Sequence, residues 1–158
     1  MDGPDYKCKQ LINISQSANS GLTKSNSAVI KREMKACFCF NRGVSKISTN
    51  FERTHYQPGE TAQIVSDIDN SNSMFHVKSI TGVLKQYIAV DFGFNNKKLH
   101  ENIIATVSHL GCNSGKHIKP EDPASNWKVL IPKEAYTSAS GQNITCHYKL
   151  LVTAEFDT

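Results

Sequence analysis

Residues 54–70 read Thr-His-Tyr-Gln-Pro-Gly-Glu-Thr-Ala-Gln-Ile-Val-Ser-Asp-Ile-Asp-Asn. Pro58 pre-sets its φ at about −65° and Gly59 tolerates positive φ, so the pair specifies a tight turn. Beyond it Ala62, Ile64, Ser66 and Ile68 fall on one face, and Gln63, Val65 and Asp67 on the other. This period of two predicts a strand with one buried face. Asp69-Asn70-Ser71-Asn72 then supplies turn residues that are expected to stop it. Turn, half-buried strand, turn is the unit of an antiparallel sandwich. Nothing in the unit is catalytic, which points toward binding.

The same grammar extends in both directions. Tyr6 to Ile14 predicts a short strand, and Ser15 to Ser27 is a Ser/Asn/Gly-rich stretch with the composition of a linker. Regular structure is expected to resume near Ala28. One strand carries Met34, Ala36 and Phe38 on one face and ends at Asn41-Arg42-Gly43; Val44 to Phe51 is the next. In Phe75 to Val90 the apolar face changes register around Ser79 to Gly82, which predicts a bulge or bend. Asp91 to Asn96 reads as a loop, and Leu99 to Leu110 as a strand with Ile103, Ala105 and Val107 on one face. Gly111 to Ser125 reads as loop, and Trp127 to Ile131 as a short strand closed by Pro132. The last strand alternates most regularly: Ile144, Cys146, Tyr148, Leu150, Val152, Ala154 and Phe156 share one face. No segment has a 3.6-residue apolar period. About seven strands without helices predict an all-β, antiparallel, Ig-like β-sandwich. Ile64, Ile68, Leu84, Ile103, Trp127, Tyr148 and Leu150 are its expected core.

With 158 residues and a net charge of +4, the chain is long enough for one domain that needs neither disulfide nor metal to fold. The basic excess is mild and scattered, well short of a nucleic-acid footprint. There is no apolar run of membrane-spanning length and no apolar core of a signal peptide near the N-terminus. Cys8, Cys37, Cys39, Cys112 and Cys146 are odd in number and irregularly spaced, so reduced thiols are expected rather than a disulfide framework. Asn13-Ile14-Ser15 and Asn143-Ile144-Thr145 fit the glycosylation sequon, the second at the opening of a core strand.

Motifs of chemistry are lacking: no Gly-rich phosphate loop, nucleophile elbow or zinc helix occurs. Cys146 and His147 adjoin, yet neighbours on a strand point to opposite faces, which forbids a dyad. Cys37 and Cys39 would share one strand face about 7 Å apart without a second ligand pair. His109, Cys112 and His117 flank one loop and could meet a metal, but structural sites show tighter paired spacing. The reading is no enzyme, no cofactor and no metal. Lys97, Lys98, Lys116 and Lys119 sit in basic clusters on expected loop tips, either merely solvated or weak contacts for an acidic head group or phosphorylated peptide.

Five segments, in order, resemble the C-terminal domain of the arrestin family: Lys31 to Cys37, Phe51 to Ser71 with its Tyr-x-Pro-Gly-Glu turn, Val77 to Tyr87, Trp127 to Pro132, and Ile144 to Val152. His109 to Ile131 looks closest to the α-arrestin (arrestin-domain-containing) branch. The resemblance covers about 28–158 and implies an arrestin C-like sandwich there, with 1–27 as an interdomain segment or linker, partly disordered. In the family a further strand follows the last one present here. The resemblance therefore implies a fragment missing its last strand, with Ile144 to Phe156 at an unpaired edge, and an N-terminal arrestin domain in the full-length chain. It implies a non-enzymatic cytosolic scaffold or adaptor in membrane-protein trafficking or signalling, peripheral at endosomal or plasma membranes. Its partners would be membrane cargo or trafficking machinery, with no nucleic acid. Lys85 matches a family phosphoinositide position and joins the four lysines above as a candidate anionic contact, although Thr81 on the same face carries no charge. Two other readings stand beside this one. One is a structural module such as the arrestin-fold subunit of a retromer-like sorting coat; the other is an extracellular Ig-like recognition domain.

Overall fold

The computed structural model describes residues 6–14, 26–36, 40–52, 54–94 and 96–157. The side chain of Cys8, all of Cys37, Phe38 and Cys39, and residues 15–25 of the linker-like stretch lie outside the described residues. The strands are β1 (Tyr6–Ile14), β2 (Asn26–Ala36), β3 (Phe40–Phe51), β4 (His55–Tyr56), β5 (Thr61–Ser73), β6 (Val77–Asp91), β7 (Lys97–Cys112), β8 (His117–Ile118), β9 (Asn126–Leu130), β10 (Ala139–Ser140) and β11 (Ile144–Phe156). One 3-10 turn, Pro123–Ser125, is the only helical element among the described residues. Two sheets form: β4-β1-β11-β6-β7, with β10 also on β11, and β2-β3-β5, with β8 and β9 along the far side of β5. All pairs are antiparallel except the short β1–β4 contact. This is the antiparallel sandwich that the alternation predicts.

The Pro58-Gly59 turn is tied into the fold. Gly59, at φ +88°, donates its N–H to the Ile131 carbonyl at 2.9 Å, and Ile131 donates back to Glu60 at 2.9 Å. The Glu60 carboxylate accepts the Gln57 N–H at 2.7 Å. In β5, Ala62, Ile64, Ser66 and Ile68 are buried as the alternation requires.

β5 does not stop at Asp69. It runs on to Ser73, because Asn70 is a buried pin rather than a turn residue. Its Nδ2 donates to the carbonyls of Phe75 at 2.8 Å and Cys112 at 3.2 Å, and its backbone exchanges bonds with Lys116 and Gly115. These bonds from one buried residue join three segments. Asp69, beside it, accepts both the N–H and the hydroxyl of Ser71, and these bonds hold its carboxyl below the usual range.

The remaining core follows the expected faces. Ile80 and Leu84 from β6, Trp127 and Val129 from β9, and Tyr148, Leu150, Val152 and Ala154 from β11 meet between the sheets. The register change in β6 falls at Lys78, one residue before the expected window: Glu155 pairs with Ser79 but Phe156 with Val77.

Two further expectations are overturned. Ile103 is 66% exposed. Leu84 pairs with Ala105 but Lys85 with Ile103, leaving Ile104 as an extra residue in β7. One inserted residue exchanges the faces of everything on one side of it, so Ile103 points outward while Ala105 and Val107 pack on the core. The last strand is also not at an edge. β11 lies between β6 along its whole length and β1 and β10 on the other side, so β1, placed by its sequence in an interdomain segment, occupies the position left open for a missing strand. Asn143 is exposed in the bend before β11 rather than inside it.

Candidate interaction surface

β7 ends its sheet: β6 pairs with one side of it, and no strand among the described residues pairs with the other. It is 16 residues long, far above the usual strand length. A long unpaired edge is a template for another strand unless something blocks it. The Ile104 bulge interrupts its regularity, while Leu99 at 67%, Ile103 at 66% and Leu110 at 83% exposure line its outer side. Among the described residues no strand covers them, so an added strand could lay apolar side chains against each of the three.

Beside the bulge lies an open groove of about 380 Å³. One wall is β7 at Asn102, Ile103 and Ile104; the other is the 132–136 turn with Pro132, Glu134, Ala135 and Tyr136. The turn is held in place. Ala135 N–H closes it on the Pro132 carbonyl at 3.1 Å, and Ser138 N–H bonds Ile14 O at 2.6 Å, while Ile14 N–H bonds the Ser138 hydroxyl at 2.9 Å. The floor is the buried amide of Gln86. Its Nε2 donates to Tyr148 OH at 2.7 Å, its Oε1 accepts from Asn102 Nδ2 at 3.2 Å, and Tyr148 OH donates to the Tyr136 carbonyl at 2.6 Å. Burial, reinforced by Cys146, pushes the Tyr148 phenol up to about 12. The chain of bonds links both walls to the core, so the groove is pre-shaped.

The five candidate lysines do not converge. Lys85, on the outer face of β6, is ion-paired with Glu101, whose hydrogen bond raises the Lys85 ammonium above its usual range. Lys97 pairs with Asp91 at 3.2 Å, and Lys98 lies 5.7 Å over the Phe92 ring at the β6–β7 hairpin. The Asp91 carboxylate also accepts the Gly93 N–H at 2.9 Å and is lowered mainly by that bond. Lys116 and Lys119 are exposed beside β8, beyond the opposite end of β7.

His109, Cys112 and His117 are engaged separately: His109 tilts against Trp127 at 6.1 Å, Cys112 is buried, and His117 Nε2 meets Asp67 at 2.6 Å. Among the described residues no group of three or more His, Cys, Asp or Glu is placed to hold a metal ion. Cys146 and His147 do diverge, with Cys146 in the core and His147 stacked outside on Tyr87 at 5.2 Å. The groove is what the sequence reading missed. Its walls lie about thirty residues apart in sequence and only tertiary packing joins them, as the interval from Ile103 to Glu134 shows.

No helix among the described residues is long and apolar enough to cross a membrane. A search among curated proteins finds no match. The family model for the arrestin (or S-antigen) C-terminal domain matches residues 41–158, covering β3 from its second residue through β11. Domains of this family generally act as protein-interaction adaptors, and the open edge and pre-shaped groove are the kind of surface such a role uses. With three quarters of its length matched and the sandwich in place, the chain belongs to the arrestin family, as a C-terminal arrestin domain.

Proposed function

We propose that this chain is the C-terminal sandwich of a non-enzymatic, cytosolic adaptor that links membrane proteins to endocytic or ubiquitin machinery, in the manner of the α-arrestins. The observation that carries the reading is the open side of β7, with Leu99, Ile103 and Leu110 exposed along it. An extended segment of a partner can add to such an edge, its main chain giving affinity and its alternate side chains specificity. In this reading an N-terminal arrestin domain stands beside the sandwich in the full-length protein, and protein contact outweighs lipid contact. Lys85 supports that weighting because Glu101 already neutralises it.

The test is binding of the chain to immobilised peptides taken from cytosolic tails of membrane transporters and receptors, compared with Ile103→Lys and Leu99→Lys variants. Charges on the edge are expected to weaken every peptide that binds by about tenfold or more. Unchanged binding by both variants would remove β7 as the adaptor surface.

A further inference from the structure

The groove beside β7 holds a carboxylate without a counter-charge. Glu134 is exposed on the groove wall and makes no ion pair or hydrogen bond to another described residue. Around it are apolar surfaces, Pro132, Ala135, Tyr136 and Ile104, with the satisfied amides of Gln86 and Asn102 beneath. This is a seat for a long basic side chain, whose methylene stem lies on apolar walls while its head meets a carboxylate.

Further along the same edge the charge reverses. Asn102, His100 and Lys98 alternate on one face of β7. Lys98 has an aromatic ring, Phe92, as its neighbour rather than a carboxylate. Lys98 and Asn102 are four residues apart, about 13 Å along a strand. On the other face Ile103 and Leu99, also four apart, are both exposed.

We propose that β7 pairs antiparallel with an extended partner segment of the pattern apolar–basic–x–x–apolar–acidic. This deepens the adaptor reading and rests on it. Antiparallel partners set side chains directly opposite on the same face. The first apolar residue then covers Ile103, and the basic residue opposite Asn102 reaches Glu134. The second apolar residue covers Leu99, and the acidic residue meets Lys98. Segments lacking the pattern leave Glu134 and Lys98 unmatched. A segment with the two charges exchanged places like charges together at both positions, the arrangement that most strongly suppresses wrong partners.

The experiment is fluorescence anisotropy of the whole chain with three labelled dodecapeptides, each with Gly-Ser flanks. One carries Val-Arg-Thr-Thr-Val-Glu at its centre, one the exchanged Val-Glu-Thr-Thr-Val-Arg, and one the uncharged Val-Thr-Thr-Thr-Val-Thr. The first is expected to bind about tenfold more tightly than the uncharged peptide, and the exchanged one more weakly than either. A double variant, Glu134→Lys with Lys98→Glu, is expected to invert the order, an outcome that general destabilisation does not produce. Equal binding of all three, or an order unchanged in the double variant, overturns the charge pattern and leaves the edge reading intact. Binding by none overturns both.

Discussion

The indole of Trp127 occupies the space where a side chain on Gly82 would begin: a Cβ there would lie 2.6 Å from Cζ3 and 2.8 Å from Cη2 of Trp127. Gly82 is on β6 and Trp127 on β9, so this is a contact between the two sheets. The indole has little room to give, because its Nε1 donates to the Ser66 hydroxyl at 2.9 Å in the core, and Val107 crowds the same point at 3.2 Å. Gly82→Ala is therefore expected to cost about 1–3 kcal/mol by overpacking. Trp127 is the sole tryptophan, so urea unfolding followed by its fluorescence reads the effect directly. An unchanged midpoint and spectrum would mean that the sheets separate without cost.

Leu150 and Ile103 make a matched pair of aliphatic tests. Leu150 is 1% exposed between β6 and β1, and Ile103 is 66% exposed. Leu150→Ala is expected to destabilise by about 2–5 kcal/mol, and Ile103→Thr by no more than about 0.5 kcal/mol. Comparable losses at the two positions would contradict the Ile104 bulge.

Tyr148 makes stability depend on alkaline pH. Its phenol is raised from 10.0 to about 12, first by burial and then by Cys146. The unfolded chain releases this proton near pH 10 while the folded chain keeps it, so the unfolded state binds fewer protons between the two values. The contribution is complete below pH 10 and is lost as pH rises toward 12. Tyr148→Phe is expected to flatten that decline while costing about 1–3 kcal/mol at neutral pH through the hydrogen bonds it leaves unmade. Ultraviolet titration of the parent against Tyr148→Phe checks it: the phenol lost in the variant should be one that ionises only at the alkaline end.

At the acid end the group to follow is His147. Burial lowers its imidazole below the ordinary 6.5, and the Lys149 ammonium adds to the shift. The folded state disfavours the extra proton that the unfolded chain accepts. The stabilisation is thus present above about pH 6.5 and falls away as pH drops through the folded value. His147→Gln should unfold with a shallower pH dependence between pH 7.5 and 5 in urea. A slope equal to that of the parent would assign the acid sensitivity elsewhere.

All five cysteines are expected to be free thiols in the denatured chain, and Cys112 to react slowly in the folded one. Cys112 is buried, and burial raises its thiol above 9.0, which lowers the reactive thiolate fraction. Thiol counting with and without denaturant tests both statements. One free thiol or none after denaturation would instead favour the extracellular Ig-like reading.

The strands were legible because local alternation decides which face is buried: Ala62 to Ile68 and Cys146 to Phe156 needed no tertiary information. The exceptions arise where one residue breaks the count. Ile104 is apolar and β-branched like Ile103, and nothing local marks it as the bulge; only the pairing of Leu84 with Ala105 and Lys85 with Ile103 does. Asn70 reads as a turn residue by type, and its burial depends on carbonyls at Phe75 and Cys112 that distant strands deliver. The groove was invisible for the same reason, since Glu134 and Ile103 meet only after the sheets are packed. The lysines show the converse: charges are easy to count in a sequence, but Glu101 beside Lys85 decides whether one is available.

The position of β11 in the middle of its sheet has a consequence for synthesis. β1 and β6 are both made before β11, and each needs it: β1 pairs with it over Tyr6 to Ile12, and β6 over its length. The β2-β3-β5 sheet can assemble from hairpins while the ribosome is still translating, but the opposing sheet lacks its central strand until Ile144 to Phe156 emerge. At about 5–20 residues per second, β1 waits several seconds for its partner with its backbone groups unpaired. The pairing edges of β1 and β6 that face β11 are thus the last in this sheet to be closed, and a slow stretch of codons before Ile144 would lengthen their exposure.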